Sequence, residues 1–260
     1  MSDSELLPLL VQAARAAGAL LSEQPKPPSW RTWPEFKAAF DAVDVPVSRL
    51  LHDHLEVLRP GVEWTEELDA KVSGRGEVWV VDAIDGAVQY LQGLPQWSVS
   101  IALVRDGLPV IAALHSTSLG ETYTAVSGGG AFLNGAPVAP STKDDLALSL
   151  VATSHPPFVG NQPDAVAGAA RAMSILLPAT GAIRNLGPTS WQVADVAAGR
   201  LDAFWEYGRD ATNLIAGALV ASEAGAVVTD TEGRPWHPGA TSFVAAPAAL
   251  HTKLIELLAE

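Results

Sequence analysis

The 260-residue chain contains no cysteine. Disulfide bonds, thiolate zinc sites and cysteine nucleophiles are therefore excluded. Basic residues are also few, with 16 lysines and arginines against 29 aspartates and glutamates and a formal net charge of −13. We do not expect nucleic-acid binding, because a phosphate backbone needs a surface rich in lysine and arginine. A small anionic substrate stays open, since bound cations can reverse the field inside an acidic site.

Other familiar signals are missing as well. Residues 1–21 lack the basic segment and long apolar core of a signal peptide, and no apolar run is expected to reach the length of a membrane span. Six histidines occur without H-E-x-x-H spacing, and neither a G-x-S-x-G elbow nor a P-loop is present. The hydrophobic share of 48% and charged share of 17% are those of a globular protein. We expect a cytoplasmic protein that contacts no membrane.

Hydrophobic periodicity divides the chain into two halves. Helical spacing predicts an amphipathic helix over residues 6–21 and a second one over 45–58, with a loop rich in proline and tryptophan at 24–34. Strands joined by tight turns then follow, and after residue 145 strands and helices alternate. The pattern predicts an N-terminal α+β half at 1–145 and a C-terminal α/β half at 146–260.

The stretch VWVVDAIDGA carries the strongest chemical signal. An apolar strand ends in Asp82, and Asp85 and Gly86 follow at the turn beyond it. Two carboxylates at such a turn offer the hard oxygen ligands that Mg²⁺ prefers. Gly86 allows a ligand close to the backbone, and a helix opening at Ala87 presents free N–H groups to an anion. The alternative is a turn in which an aspartate only caps a helix.

Further carboxylates precede this motif. Glu66 and Glu67 lie at the end of a short apparent strand over residues 62–64, and Asp44 precedes the helix predicted from residue 45. Glu66 and Glu67 are candidate metal ligands or part of a solvated acidic face. Asp44 is a candidate site residue or the N-cap of that helix.

Taken together, four motifs resemble the inositol monophosphatase family. VWVVDAIDGAVQYLQGLPQWSVSIALV resembles the family signature W-x-x-D-P-[IL]-D-G-T and the segment after it. GGGAFLNGAPV resembles the family hairpin G-x-G-A-x-x-N-G. RNLGPTSWQVADVAAGRLDAFWE and LIAGALVASEAGAVVTD resemble two later segments, in the family's order and spacing. The resemblance covers roughly residues 35–260.

This resemblance implies a fold, a dimeric state and a set of site residues. The fold would be a layered α-β-α-β-α sandwich of the α/β (α+β) class, and homodimers are frequent in the family. The implied ligands of Mg²⁺ or Mn²⁺ are Glu66, Asp82, the Ile84 carbonyl, Asp85 and the residue at 213. Gly86 and Ala87 would give N–H groups to the phosphate, and Asp44 would orient the attacking water. Gly187, Pro188 and Thr189 would line the sugar pocket, and Glu206 would meet a substrate hydroxyl.

The chain departs from the family pattern at three positions. Ala87 replaces the signature threonine, whose hydroxyl helps to position the water, and Ala83 replaces the signature proline. Asn213 stands where the family has a metal-binding aspartate, so a second cation should bind more weakly because a ligand charge is lost. Asp210, one helical turn earlier, is the candidate to supply that charge.

We therefore predict a Mg²⁺-dependent phosphatase that hydrolyses a phosphate monoester of an inositol, a sugar or a nucleotide. Ala87 and Asn213 keep two alternatives open. One is a relative without catalysis that binds a phosphorylated ligand or a protein partner. The other reuses the phosphate pocket for different chemistry. The sequence does not identify the substrate.

Overall fold

A computed structural model describes residues 1–25, 29–65 and 75–259. Within these ranges the chain forms seven α-helices and twelve β-strands. The helices are α1 (Asp3–Glu23), α2 (Trp33–Leu58), α3 (Ala87–Gln92), α4 (Pro163–Ala179), α5 (Thr189–Ala197), α6 (Ala211–Glu223) and α7 (Ala248–Leu258). The strands are β1 (Glu63–Thr65), β2 (Glu77–Asp85), β3 (Ser98–Arg105), β4 (Leu108–Ser116), β5 (Glu121–Val126), β6 (Gly130–Leu133), β7 (Ala136–Pro137), β8 (Leu150–Thr153), β9 (Ala182–Arg184), β10 (Ala203–Tyr207), β11 (Val227–Thr229) and β12 (Ser242–Ala246).

These elements stack in five layers. Helices α1 and α2 pack on one face of a sheet with the order β1-β2-β3-β4-β5-β6-β7, and α5 and α6 lie between this sheet and a second one. The second sheet has the order β11-β12-β10-β8-β9, and α4 and α7 cover its outer face. The predicted α-β-α-β-α sandwich is confirmed.

Tight turns build most of the first sheet. Its β1 and β2 are parallel, and the strands from β2 to β7 pair with their neighbours antiparallel. Asp106 and Gly107, at φ 51° and 80°, form the turn between β3 and β4. Two consecutive positive φ angles match the right-handed twist of a hairpin, so this is one of the tight turns that the sequence predicts between its strands.

Helix α2 begins much earlier than residue 45. The Thr32 side chain caps it by accepting a hydrogen bond from the Glu35 N–H at 3.4 Å, and Pro34 lies in its first turn. Proline is tolerated there because the first turn has no intrahelical partner for its missing N–H. The loop prediction for 24–34 is therefore wrong from Trp33 onward. The N-cap alternative for Asp44 is also wrong, because Asp44 lies inside the helix.

Helix α1 corrects a second expectation. Its 21 residues are long and apolar enough to cross a membrane by length and composition alone, contrary to the expectation from the apolar runs. In the structure, Leu6, Leu10 and Leu21 are buried in a core shared with α2 and the first sheet. Its apolar face is thus accounted for by packing within the fold.

The layer between the sheets joins the two halves of the chain. Leu114 and Tyr123 of the first sheet share one core with Val193 of α5, Ile215 of α6 and Phe243 of the second sheet. Helices that follow residue 145 therefore complete the core of the sheet that precedes it. The division into halves at 1–145 and 146–260 stays a prediction.

Candidate active site

A bulge at the end of β2 places Asp82 and Asp85 on one face. Asp82 lies opposite Ser100 of β3 and Asp85 opposite Ser98, so β2 contains one more residue than its partner over this interval. Strand residues three apart normally point to opposite faces, and the extra residue cancels that alternation. Asp82 also accepts a hydrogen bond from the Ile84 N–H at 2.9 Å, which fixes its carboxylate at the turn.

Gly86 connects this strand to α3 in a left-handed conformation, at φ 91° and ψ 37°. A Cβ atom here would lie 2.8 Å from the Gln96 carbonyl oxygen and 2.9 Å from Cγ of Pro188. Only glycine fits this turn, because both its backbone angle and its surroundings exclude a side chain. The Gly86 turn therefore lies directly against the segment that opens α5.

The carboxylate of Asp85 is held by the first turn of α5. Its Oδ1 accepts from the Thr189 N–H at 3.2 Å and its Oδ2 from the Ser190 N–H at 3.1 Å. Asp85 is buried, with 4% of its surface exposed. The two N–H groups fix the orientation of the carboxylate at the start of α5. This contact joins the acidic end of the first sheet to the second half of the chain.

The segment before α5 is fixed by a side-chain amide. Gln192 accepts from the Leu186 N–H at 2.8 Å and donates to the Gly187 carbonyl at 3.2 Å. The Thr189 hydroxyl donates to Ser154 at 2.8 Å, which ties the loop after β8 to the same place. Gly187, Pro188 and Thr189 thus form a rigid edge beside the Gly86 turn.

A buried acidic group lies where β10 gives way to α6. The Asn213 amide donates to Oδ1 of Asp210 at 2.7 Å, and both residues are 5% exposed. Glu206 is fully buried, and its pKa is raised well above the usual range by burial first and then by the charge of Asp210. A smaller contribution comes from the charge of Asp85, so Glu206, Asp210 and Asp85 share one electrostatic environment.

The remaining predicted residues lie on α2 or outside the described ranges. Asp44 is half-buried on α2 and accepts from the Ser48 hydroxyl at 3.3 Å. Glu66 and Glu67 belong to residues 66–74, which are not among the described ones. Within the described part of the chain, no three histidine, aspartate or glutamate side chains form a ready group for a metal ion.

One residue of the site was not found from the sequence. The Ser190 hydroxyl donates a short hydrogen bond to the Asn213 carbonyl and lies 3.4 Å from the Ser100 hydroxyl. It therefore links β3, α5 and α6 at the centre of the site. The sequence offered one indication of Ser190, namely its position directly after Thr189, which was predicted to line the pocket.

Comparison with known proteins finds relatives along nearly the whole chain. A profile described as the inositol monophosphatase family matches residues 2–260. An inositol-1-monophosphatase from Mesorhizobium japonicum is 32% identical over 245 residues, which cover 90% of this chain and 88% of that protein. The Nus factor SuhB of Pseudomonas aeruginosa is 37% identical over 166 residues, which cover 62% of this chain and 61% of that protein.

Solved structures share the fold over nearly the whole chain. The extragenic suppressor protein suhB from Bartonella henselae has a TM-score of 0.82 at 25% identity and covers 98% of this chain and 100% of its own. An inositol monophosphatase from Anabaena has a TM-score of 0.83 at 24% identity, with coverage of 98% and 96%. The protein therefore belongs to the inositol monophosphatase family.

Proposed function

We propose that the protein is a phosphatase that uses Mg²⁺ or Mn²⁺ to hydrolyse a phosphate monoester of an inositol, a sugar or a nucleotide. The observation that carries the proposal is the hydrogen bonding of Asp85 to Thr189 and Ser190. It brings the acidic end of β2, the Gly86 turn and the edge at Gly187–Thr189 to one point. Family membership and the relatives named as phosphatases support the same reaction.

The donor atoms suit a hard divalent cation. Asp82 and Asp85 offer carboxylate oxygens and Ile84 a carbonyl oxygen at one turn, a set that Mg²⁺ and Mn²⁺ accept. Glu66, outside the described residues, is the further ligand that the resemblance implies. When bound, such a cation neutralises the phosphate charge and makes a water molecule more acidic.

The residues of the chain itself would bind and orient the substrate. The N–H groups of Gly86 and Ala87 would donate to phosphate oxygens, because a glycine at the turn lets a ligand approach the backbone closely. Asp44 would orient the attacking water, and Glu206 would contact a substrate hydroxyl. Most of the catalysis would come from placement of charge, since phosphoryl transfer needs little covalent help from the protein.

A binding protein without catalysis is the second candidate. Ala87 lacks the hydroxyl that the family uses near the water, and Asn213 carries no charge to hold a second cation. The relative from Pseudomonas aeruginosa is named a Nus factor and not a phosphatase. These observations favour a chain that keeps the phosphate pocket for recognition of a ligand or a protein.

Phosphate release and metal binding, measured together, distinguish the two candidates. The parent protein is assayed with inositol, sugar and nucleotide phosphates in Mg²⁺ and in Mn²⁺, and metal binding is followed by calorimetry. We expect turnover in the parent and a loss of at least about a hundredfold in Asp82→Asn. The control is Asp53→Asn, whose side chain is 76% exposed on α2.

Each outcome has a consequence. Absence of binding at millimolar Mg²⁺ contradicts the metal-dependent reaction. Binding without turnover of any of these phosphates favours the second candidate. Asp82→Asn that hydrolyses as fast as the parent contradicts the site.

We further propose that the protein works as a cytoplasmic homodimer. Support comes from the resemblance, since dimers are frequent in the family. Analytical ultracentrifugation over a hundredfold range of concentration tests the dimer, and a monomer throughout would contradict it.

A further inference from the structure

An exposed aromatic surface lies beside the proposed phosphate position. It consists of Trp30, Trp33, Phe36, Phe158 and Val88, which we call the aromatic wall. Trp33 is 58% exposed, Val88 55% and Phe158 52%. Aromatic residues exposed this far on neighbouring elements are uncommon unless they bind something.

The rings of the wall are ordered by contacts with one another. Trp33 stacks on Phe36 with centroids 5.3 Å apart and planes 25° apart. Phe158 meets Trp33 edge to face at 5.5 Å and 74°. Trp30 meets Phe36 at 5.5 Å and 70°, and both residues pack on the core beneath α2. The wall is therefore a rigid corner with two exposed aromatic rings.

The backbone holds these rings in place from two sides. Trp33 is the first residue of α2, directly after the Thr32 cap. Phe158 has a left-handed backbone, at φ 52° and ψ 36°, which is unfavourable for an aromatic residue. Two prolines precede Phe158 and stiffen its loop. Such strain persists where the surroundings impose it, and it is common where a ligand is held.

The aromatic wall is continuous with the candidate active site. Val88 follows Ala87, to which the proposed function assigns a phosphate contact. The loop that carries Phe158 is tied to the site, because Ser154 accepts from Thr189 at 2.8 Å and a Cβ at Gly208 would collide with Pro156. A shallow, open depression of about 460 Å³ is lined by Val88 together with Trp30, Arg31, Thr32, Trp33 and Phe36.

We propose that the aromatic wall binds the organic group of the substrate, and that this group is a planar aromatic ring. This inference rests on the proposed phosphatase function. A ring beside Ala87 would stack on one of the two exposed rings, Trp33 and Phe158, and meet the other edge to face. These are the two favoured arrangements of aromatic pairs. The hydroxyl groups of inositol and sugars need hydrogen-bond partners, and a wall of indole, phenyl and isopropyl groups offers them few.

The first test measures kcat/KM of the parent for phenyl phosphate, adenosine 5′-monophosphate and inositol 1-phosphate. Phenyl phosphate represents an aryl ester and the nucleotide a purine ester. We expect at least one of these two to exceed inositol 1-phosphate by about tenfold or more. Trp33→Ala and Phe158→Ala should each lower kcat/KM for that aromatic substrate about tenfold, mainly through KM. Equal values in the parent and both variants overturn the inference and leave the phosphatase function standing.

Two further variants control for structural damage. Trp33→Phe keeps an aromatic face and should retain most of the activity towards the aromatic substrate. Val57→Ala removes an apolar side chain that is 80% exposed in the last turns of the same helix and should match the parent. Trp33→Ala should lower hydrolysis of inositol 1-phosphate much less than hydrolysis of the aromatic substrate. Equal loss for all three substrates would indicate a structural role and overturn the inference.

A binding measurement separates this inference from the proposed reaction. Phenylphosphonate, which the enzyme cannot hydrolyse, should quench tryptophan fluorescence in the parent and not in Trp33→Ala. Quenching without turnover of any phosphate would contradict the phosphatase function and support the wall as a site for aromatic groups. Absence of quenching in the parent overturns the inference whatever the activity. Conversion of a dimer to a monomer by Trp33→Ala would assign the wall to an interface between copies, and would also overturn it.

Discussion

Gly86 combines two constraints that can be measured separately. Its φ of 91° disfavours any side chain, and a Cβ would in addition press on the Gln96 carbonyl and on Pro188. Gly107 has a similar φ of 80°, but a Cβ at that position would meet nothing within 4 Å, so it carries the first constraint alone. The pair separates backbone strain from collision with the site.

We expect Gly86→Ala to lower the free energy of unfolding by about 3 kcal/mol and Gly107→Ala by about 1 kcal/mol. Urea denaturation of both variants and the parent measures the difference. Gly86→Ala should also lose phosphate binding, because the displaced turn carries the N–H groups. Equal destabilisation by the two variants would contradict the contact between the Gly86 turn and the edge at Pro188.

Asn213 gives a second prediction at this scale. Its amide donates to Asp210 at 2.7 Å, and Asn213→Asp would replace that donor with a second carboxylate. Without divalent cations the variant should melt at a lower temperature than the parent, since two buried carboxylates at this distance repel each other. Addition of Mg²⁺ should raise the melting temperature of the variant more than that of the parent, because the added charge strengthens cation binding.

Melting temperatures in EDTA and in 10 mM Mg²⁺ test this, with the exposed Asn161→Asp as control. If Asn213→Asp melts like the parent in both buffers, Asp210 already supplies the missing charge.

Adding Ala87→Thr to Asn213→Asp should raise kcat/KM, by up to about a hundredfold if the hydroxyl positions the water.

The sequence revealed part of this site. Asp82, Asp85 and Gly86 stand together in one motif, so their neighbourhood needed no tertiary information. The bulge that aligns the two aspartates and the link through Ser190 depend on which residues lie opposite β2 and α6. Such pairings across strands and helices leave no local pattern.

At the scale of elements, α5 is joined to the first sheet by a buried carboxylate. Asp195 accepts from the Tyr123 hydroxyl at 2.8 Å and lies 3.6 Å from Nη1 of Arg200. Burial raises the pKa of Asp195 from 3.8 to about 6, although Tyr123 and Arg200 act in the opposite direction. The folded chain therefore holds a proton on Asp195 at a pH where the unfolded chain has released it.

The free energy of unfolding should consequently decrease as the pH rises from about 4 to about 6. In Asp195→Asn this pH-dependent contribution to the free energy of unfolding is absent. Relative to the variant, the parent should lose about 2 kcal/mol of its free energy of unfolding between pH 4 and pH 7, as expected for a shift of this size. Denaturation curves across that range, with Asp53→Asn as the matched carboxylate control, provide the measurement. Parallel pH profiles of parent and Asp195→Asn would contradict the raised pKa.

Elements were predicted well where periodicity was regular. The hairpin at Asp106–Gly107 and the alternation after residue 145 follow from turn residues and apolar spacing. The start of α2 was missed because Pro34 and the two tryptophans before it, Trp30 and Trp33, suggested a loop. A proline is compatible with the first turn of a helix, and only the cap at Thr32 decides between the two.

For the whole molecule, the net charge of −13 implies self-repulsion in the folded state. Raising NaCl from 0.02 to 0.3 M should increase the melting temperature by a few degrees, equivalent to about 1 kcal/mol, because salt screens charges beyond a Debye length. MgCl₂ at equal ionic strength should raise the free energy of unfolding by a further amount of about 2.7 kcal/mol, when Mg²⁺ is in a hundredfold excess over its Kd.

Scanning calorimetry of the parent and Asp82→Asn separates these two effects. The NaCl increase should be common to both proteins, and the additional increase from MgCl₂ should occur in the parent alone. If MgCl₂ and NaCl act identically on the parent at equal ionic strength, Mg²⁺ acts through screening and does not occupy a site.

The hydrogen bonds from Thr189 and Ser190 to Asp85 join positions 104 and 105 residues apart in the chain. Contacts of such long range form slowly, because the intervening loop must close before they give any stabilisation. During synthesis the aspartates of β2 emerge long before the helix that holds them. A ligand of this site therefore recognises the chain only after its late segments have folded, and its binding marks the completion of folding.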